Sequence, residues 1–319
     1  MEQPQTVSNR TTGEVGQGTH FIEAKTEVLL LDDIRRQHII PVFGRDNEPT
    51  ISQTQFVEAV QEAVSITYDG EDILEPDIRV SHPIKGRVPE ARNKAARDLL
   101  PDERTIYFER MVFKVDVPSI TTRIDDEEVC LSIGGMKAYN LDNLGKDSRS
   151  PQHFTVFIGF KNTVCSNMCI WSDGSVANVS VTSLKDLIWQ VEKLIVEFRF
   201  LQVLEQMKRW AEIGITESQF VHILGRARYF NTMPRHLKDQ IYPLEISDSQ
   251  MHAIAKGYHR AFRPGQSEYL SLWQFFNLAT AAVKSSYIDR YVDRCANASG
   301  FVQHIDAALE GEKDSWYLS

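Results

Sequence analysis

Residues 154–174 read FTVFIGFKNTVCSNMCIWSDG, and their period decides the fold class. Phe154, Val156, Ile158 and Phe160 stand at alternate positions, the spacing of a strand with one buried face. Residues 163–172 read as a second strand, Asp173-Gly174 as a hairpin turn, and SVANVSV (175–181) as the return strand. Working outward, TIYFERMVFKVDVP (105–118) sets Met111, Phe113, Val115 and Val117 against Val112, Lys114 and Asp116. EVCLSIGGMKAY (128–139) places Val129, Leu131 and Ile133 on one face, with the acidic run Asp125 to Glu128 in or beside the intervening turn. Gly134-Gly135 marks a bulge or a close backbone approach. These segments predict an antiparallel, twisted sheet.

From residue 182 the period becomes helical. Leu184, Leu187, Ile188, Val191, Leu194, Ile195, Phe198 and Leu201 form one stripe, predicting a single long helix to about Ile213 that packs on the sheet. Capping-box patterns at Thr216…Gln219, Ser247…Gln250 and Ser271…Gln274 each predict a helix start. Residues 272–294 read as one helix, and a last helix covers 299–310. Before the sheet, HIIPVFG (38–44) reads as a short extended segment. Ser52…Gln55 opens a helix near 53–65, Pro76 to Pro89 is extended or looped, and EARNKAARDLL (90–100) is helix-prone. The expected fold is α+β, an antiparallel twisted β-sheet in the middle of the chain followed by a C-terminal helical bundle. The expected organisation is a disordered or loosely docked tail (1–20), an α+β domain (21–181) and a helical domain packed on the sheet (182–319).

The chain has 319 residues, 42% of them hydrophobic and 25% charged, which is ordinary for a globular protein that buries its own core. No stretch is apolar enough to span a membrane, and the polar N-terminus lacks the apolar region of a secretory signal. Cys130, Cys165, Cys169 and Cys295 form no disulfide framework or zinc spacing and are expected as reduced thiols in a cytoplasm. On a strand, Cys165 and Cys169 stand roughly 13 Å apart, too far for one disulfide or one metal ion. Neither a cofactor nor a metal is expected.

Charge is unevenly placed. Residues 1–78 hold 5 Lys and Arg against 15 Asp and Glu, while the rest hold 30 against 29. Arg79 to Arg97 inverts the sign, with six basic residues and the single acid Glu90. Lys and Arg beside a helix N-terminus suit phosphate. The candidate nucleic-acid contacts are therefore Arg79, His82, Lys85, Arg87, Arg92 and Lys94, with Lys161 and Asn162 as secondary candidates. The competing reading has these cations neutralised by the acidic N-terminal region or by a protein partner. No nucleotide-binding glycine loop, Gly-x-Ser-x-Gly elbow or His-Glu-x-x-His pattern is present, so no catalytic residue is assigned.

Several segments carry a resemblance: IPVFGRD (40–46), RVSHPIKGRVPEA (79–91), YFERMVFKVDVPSI (107–120), GGMKAYNLDNL (134–144), FTVFIGFKNTVCSNMCIWSDG (154–174) and LWQFFNLATAAVKSSYIDRYVDR (272–294). Together they resemble an uncharacterised family of unknown function found on conjugative elements, plasmids and phages. The Cys165-Ser-Asn167 segment and the Trp273-led helix are distantly similar to a broader phage and plasmid family. The resemblance implies a mobile-element accessory protein and transfers no catalytic residue. The leading expectation is a cytoplasmic, non-enzymatic protein that binds nucleic acid, single-stranded DNA in particular. The alternatives are a protein-interaction module antagonising a host defence factor and an enzyme without a familiar motif. A homo-oligomer is compatible with all three.

Overall fold

Burial on both sides organises the centre of the molecule. The computed structural model describes residues 20–37, 50–141, 151–261 and 269–319. The expectations for most of the 1–20 tail and for 38–44, the whole resemblance segment 40–46 and the end of another (142–144) lie outside these residues. The first half contains β1 (Glu27–Leu29), α1 (Leu31–Gln37), α2 (Gln53–Thr67), β2 (Asp77–Val80), β3 (Pro83–Arg87), β4 (Arg104–Phe108), β5 (Arg110–Ile124), β6 (Glu127–Ala138), β7 (Gln152–Asn162), β8 (Met168–Ile170) and β9 (Val176–Val181). The second contains α3 (Leu184–Glu197), α4 (Phe200–Glu212), β10 (Gly214–Thr216), α5 (Glu217–Thr232), α6 (Arg235–Lys238), α7 (Asp248–Ala261), β11 (Tyr269–Ser271), α8 (Leu272–Val283) and α9 (Ile288–Leu309). The fold is α+β, an antiparallel sheet followed by helices.

The main sheet runs β1-β2-β5-β6-β7, with β8 and β9 both on the outer edge of β7. Every pairing is antiparallel. The β5–β6 register shifts between Val117 and Thr121, around Pro118, which has no N–H for the ladder. α2 packs on β5 and β6, while α9 packs on β5, β6 and β8. One continuous apolar core joins the sheet to the C-terminal helices. At its centre Trp171 stacks on Trp210 at 4.8 Å, and Phe276 lies 5.2 Å from Trp210.

The glycine pair is a close approach rather than a bulge. Gly134 faces the ring of Phe157 on one side of β6, and Gly135 faces the ring of Phe56 on the other. Capping worked as expected: Ser52, Thr216, Ser247 and Ser271 each exchange hydrogen bonds with the Gln three residues on.

Four local expectations are overturned. Residues 163–172 are not a continuous strand, because Asn162 Oδ1 accepts from the backbone N–H of Val164 and of Cys165 and Ser166 takes φ +56°, which makes a turn before β8. Asp173-Gly174 is not a hairpin turn: β8 and β9 follow one another along β7, and the residues between them loop out with Gly174 at φ +72°. The helix expected to run to Ile213 breaks between α3 and α4 at Phe198 and Arg199. Phe198 and Phe200 both lean on Phe160, with centroids 6.2 and 5.2 Å away, which two residues so spaced on one helix do not do. The expected 272–294 helix is likewise two, because Tyr287 is extended (ψ 152°) and buried Lys284 turns inward.

A Cβ added at Gly134 would sit 2.2 Å from the Phe113 carbonyl oxygen and 2.4 Å from the Phe157 ring. Gly134→Ala is expected to cost about 2–3 kcal/mol by overpacking. Thermal unfolding checks this as a drop of several degrees in Tm, and an unchanged Tm would contradict the packing.

Candidate nucleic-acid interface

β3 and β4 pair from Pro83↔Phe108 to Arg87↔Arg104 and form a ribbon separate from the main sheet. With side chains alternating along each strand, this register puts Lys85, Arg87, Arg104 and Ile106 on one face. The base of the ribbon is held by Gln53, which is fully buried. Its amide donates to the Phe108 carbonyl at 2.7 Å and accepts from the Phe108 N–H at 3.1 Å, as a neighbouring strand would. The Tyr107 ring meets Tyr139 edge-on at 5.2 Å.

The segment joining the two strands is not the α-helix expected over 90–100. It forms three short 3-10 turns, Pro89–Ala91, Ala96–Asp98 and Pro101–Glu103. Ala91 and Leu99 are its only buried residues between 90 and 100, so no apolar stripe exists to dock a helix of this length. The phosphate site expected at a helix N-terminus is therefore absent. Side chains hold the segment instead. Arg87 donates to the Lys94 carbonyl, and Arg104 donates to the Leu99 carbonyl at 3.2 Å. Lys94 pairs with Glu103, whose other oxygen accepts from the Leu100 N–H at 2.9 Å. Both contacts, Lys94 first, lower the pKa of the Glu103 carboxyl. Between ribbon and segment lies a cavity of about 420 Å³, whose walls include Lys85, Gly86, Arg87, Leu99, Arg104 and Ile106.

The structure separates the eight candidate residues into three groups. Lys85 and Arg87 line the cavity from the ribbon and Arg92 lies on the covering segment, and among the described residues none has a carboxylate at ion-pair distance. His82 and Lys94 lie on the same unit but face acids, with His82 3.6 Å from Glu109 and Lys94 on Glu103. The remaining three are interior. Arg79 is 6% exposed and donates to the Thr26 hydroxyl at 2.9 Å and to the Thr26 carbonyl. Its pKa is lowered by burial, against the pull of Asp77. Lys161 binds Asp116, which also accepts from Lys114 at 2.6 Å and from Ser132 at 2.7 Å. Burial raises the Asp116 pKa, but the two lysines outweigh it and the net shift is downward. Asn162 is fully buried and donates to Glu127 at 2.8 Å. Among the described residues, no ion pair joins a cation of 79–97 to a carboxylate of the first 78 residues.

Arg104 escaped the sequence reading because it lies outside the basic run. Only the strand register brings it opposite Arg87. A second polar cluster was also missed. Glu127 Oε2 accepts from Asn162 Nδ2 at 2.8 Å, from Trp273 Nε1 at 2.9 Å and from Asn277 Nδ2 at 2.9 Å. Asn167 donates to the Asn277 carbonyl at 3.1 Å, and Lys284 donates to the Cys165 carbonyl. The Cys165-Ser-Asn167 turn and the Trp273-led helix therefore meet in space. An acid, two amides and an indole at these spacings have no sequence signature. Burial raises the thiol pKa of Cys130, Cys165 and Cys169 and pushes Cys295 up to about 12, so no thiolate is prepared there. Among the described residues, no three His, Cys, Asp or Glu side chains converge as a metal site, and no helix is long and apolar enough to cross a membrane.

The fold and both polar clusters can now be set beside known proteins. The chain belongs to the family DUF3871. The model of that family, described as a domain of unknown function (B. Theta Gene description), matches residues 2–318. DUF3871 thus covers the ribbon, the sheet and the C-terminal helices alike. Comparison with curated proteins and with solved structures finds no match.

Burial raises the Glu127 pKa above its ordinary 4.5, against the three neutral donors and with help from Asp125. The folded state then holds this proton more tightly than the unfolded state. Its contribution to stability falls as pH rises from 4.5 through the folded value and is level above it. Glu127→Gln is expected to remove that slope while keeping an acceptor. Glu127→Ala strands three donors at about 1–3 kcal/mol each. Urea unfolding across about pH 4 to 8 checks both, and identical slopes for wild type and Glu127→Gln would refute the first.

Proposed function

We propose that this protein binds nucleic acid, with single-stranded DNA as the first candidate, through the β3–β4 ribbon and its covering segment. It does so without catalysing a reaction, as an accessory protein of a mobile element acting in a reducing cytoplasm. One observation carries the reading. Lys85, Arg87 and Arg104 line one cavity on the ribbon, Arg92 lies on the covering segment, and none of the four has a carboxylate partner among the described residues. Interior lysines in the same chain are treated differently, since Lys114 and Lys161 share Asp116. Cations left unneutralised on the ribbon favour a polyanion, because each phosphate contact releases condensed counterions. The four free thiols agree with a reducing compartment.

The combined reversal Lys85→Glu and Arg87→Glu is expected to abolish retention of single-stranded DNA in a low-salt gel shift, with folding checked by circular dichroism. Lys85→Ala alone should weaken binding for all sequences alike and reduce the slope of log K against log salt by about 0.7. Retention unchanged by the double reversal would rule out this surface.

A further inference from the structure

We infer that the cavity between the β3–β4 ribbon and residues 88–103 is a receptor for one nucleoside phosphate unit, held by its phosphate. This rests on the nucleic-acid reading for its setting but makes a separate claim about a site. The cavity measures about 420 Å³, within the range of small-molecule pockets and far larger than a lone phosphate requires. Its walls bring Lys85, Arg87 and Arg104 together and include no acidic residue.

The two guanidinium groups are already oriented. Arg87 spends a donor on the Lys94 carbonyl and Arg104 spends one on the Leu99 carbonyl. Each guanidinium has five N–H donors in a fixed plane, so each keeps donors for a phosphate oxygen. Carbonyls fix a guanidinium without cancelling its charge, which distinguishes this arrangement from the Lys94–Glu103 pair nearby. Leu99 and Ile106 supply apolar wall on which the sugar or base of the unit rests. Gly86 lies tight against the facing strand, where a Cβ would lie 2.6 Å from the Thr105 hydroxyl.

The unit can come from a nucleic-acid chain or from a free nucleotide, and the experiment separates the two. The full-length protein is titrated calorimetrically at constant ionic strength with thymidine 5′-monophosphate, thymidine and inorganic phosphate. An oligothymidylate is measured in parallel by fluorescence anisotropy. Saturable one-to-one binding of the monophosphate, none of thymidine, and at least about tenfold weaker binding by Arg104→Gln and by Lys85→Gln support the site. The Lys85 side chain is exposed and has no hydrogen-bond or ion-pair partner among the described residues, so its variant keeps the test valid if Arg104→Gln unfolds. Lys185→Gln, a change at an exposed lysine on α3, is the control expected to bind as wild type. No saturable binding of the monophosphate, or equal binding by both cavity variants, overturns the site. If the oligonucleotide binds and the monophosphate neither binds nor competes, the cavity fails and the nucleic-acid reading stands. If the monophosphate binds and the oligonucleotide does not, the cavity stands as a nucleotide site and the nucleic-acid reading fails.

Discussion

Ten consecutive residues of β6, Val129 to Ala138, are buried, and this two-sided burial is the constraint on which the rest depends. A polar side chain on such a strand, or on its neighbours, cannot reach water and must be paired inside. Ser132, Asp116, Lys114 and Lys161 satisfy one another for this reason. The Gly134-Gly135 pair follows from the same constraint, since rings from β7 and α2 press on its opposite faces. At the end of the sheet, Glu127 collects donors from β7 and α8 and so ties the helical region to the strands.

The same constraint sorts the charged residues by role. On the sheet, Arg79 and Lys161 are committed to partners within the fold, Thr26 and Asp116. The β3–β4 ribbon lies outside the main sheet and is free of that demand. Its arginines bond to carbonyls and keep their charge. Gln53 anchors it, a side chain standing in for a strand at the ribbon's base.

Legibility followed the range of the interactions involved. The capping boxes at Ser52, Thr216, Ser247 and Ser271 each act within one helical turn, and all four were readable. The strands β5, β6 and β7 were readable because alternation is a local pattern. The breaks at Phe198 and at Lys284–Tyr287 were not, because distant partners set them: the ring of Phe160 in one case, the Cys165 carbonyl in the other. The 90–100 segment has helix-forming composition but buries only Ala91 and Leu99, too little for an apolar stripe that would dock a helix.

By itself the sequence determined the α+β class, the antiparallel sheet ahead of the helices, the four capped helix starts and the existence of a basic run, since period, capping and composition are properties of neighbouring residues. Tertiary structure alone decided which cations stay open, because neutralisation depends on what lies across a strand pair or under a helix. Thus Arg104 joined Arg87 through register, and Lys161 was lost to Asp116 through the packing of a sheet buried on both faces.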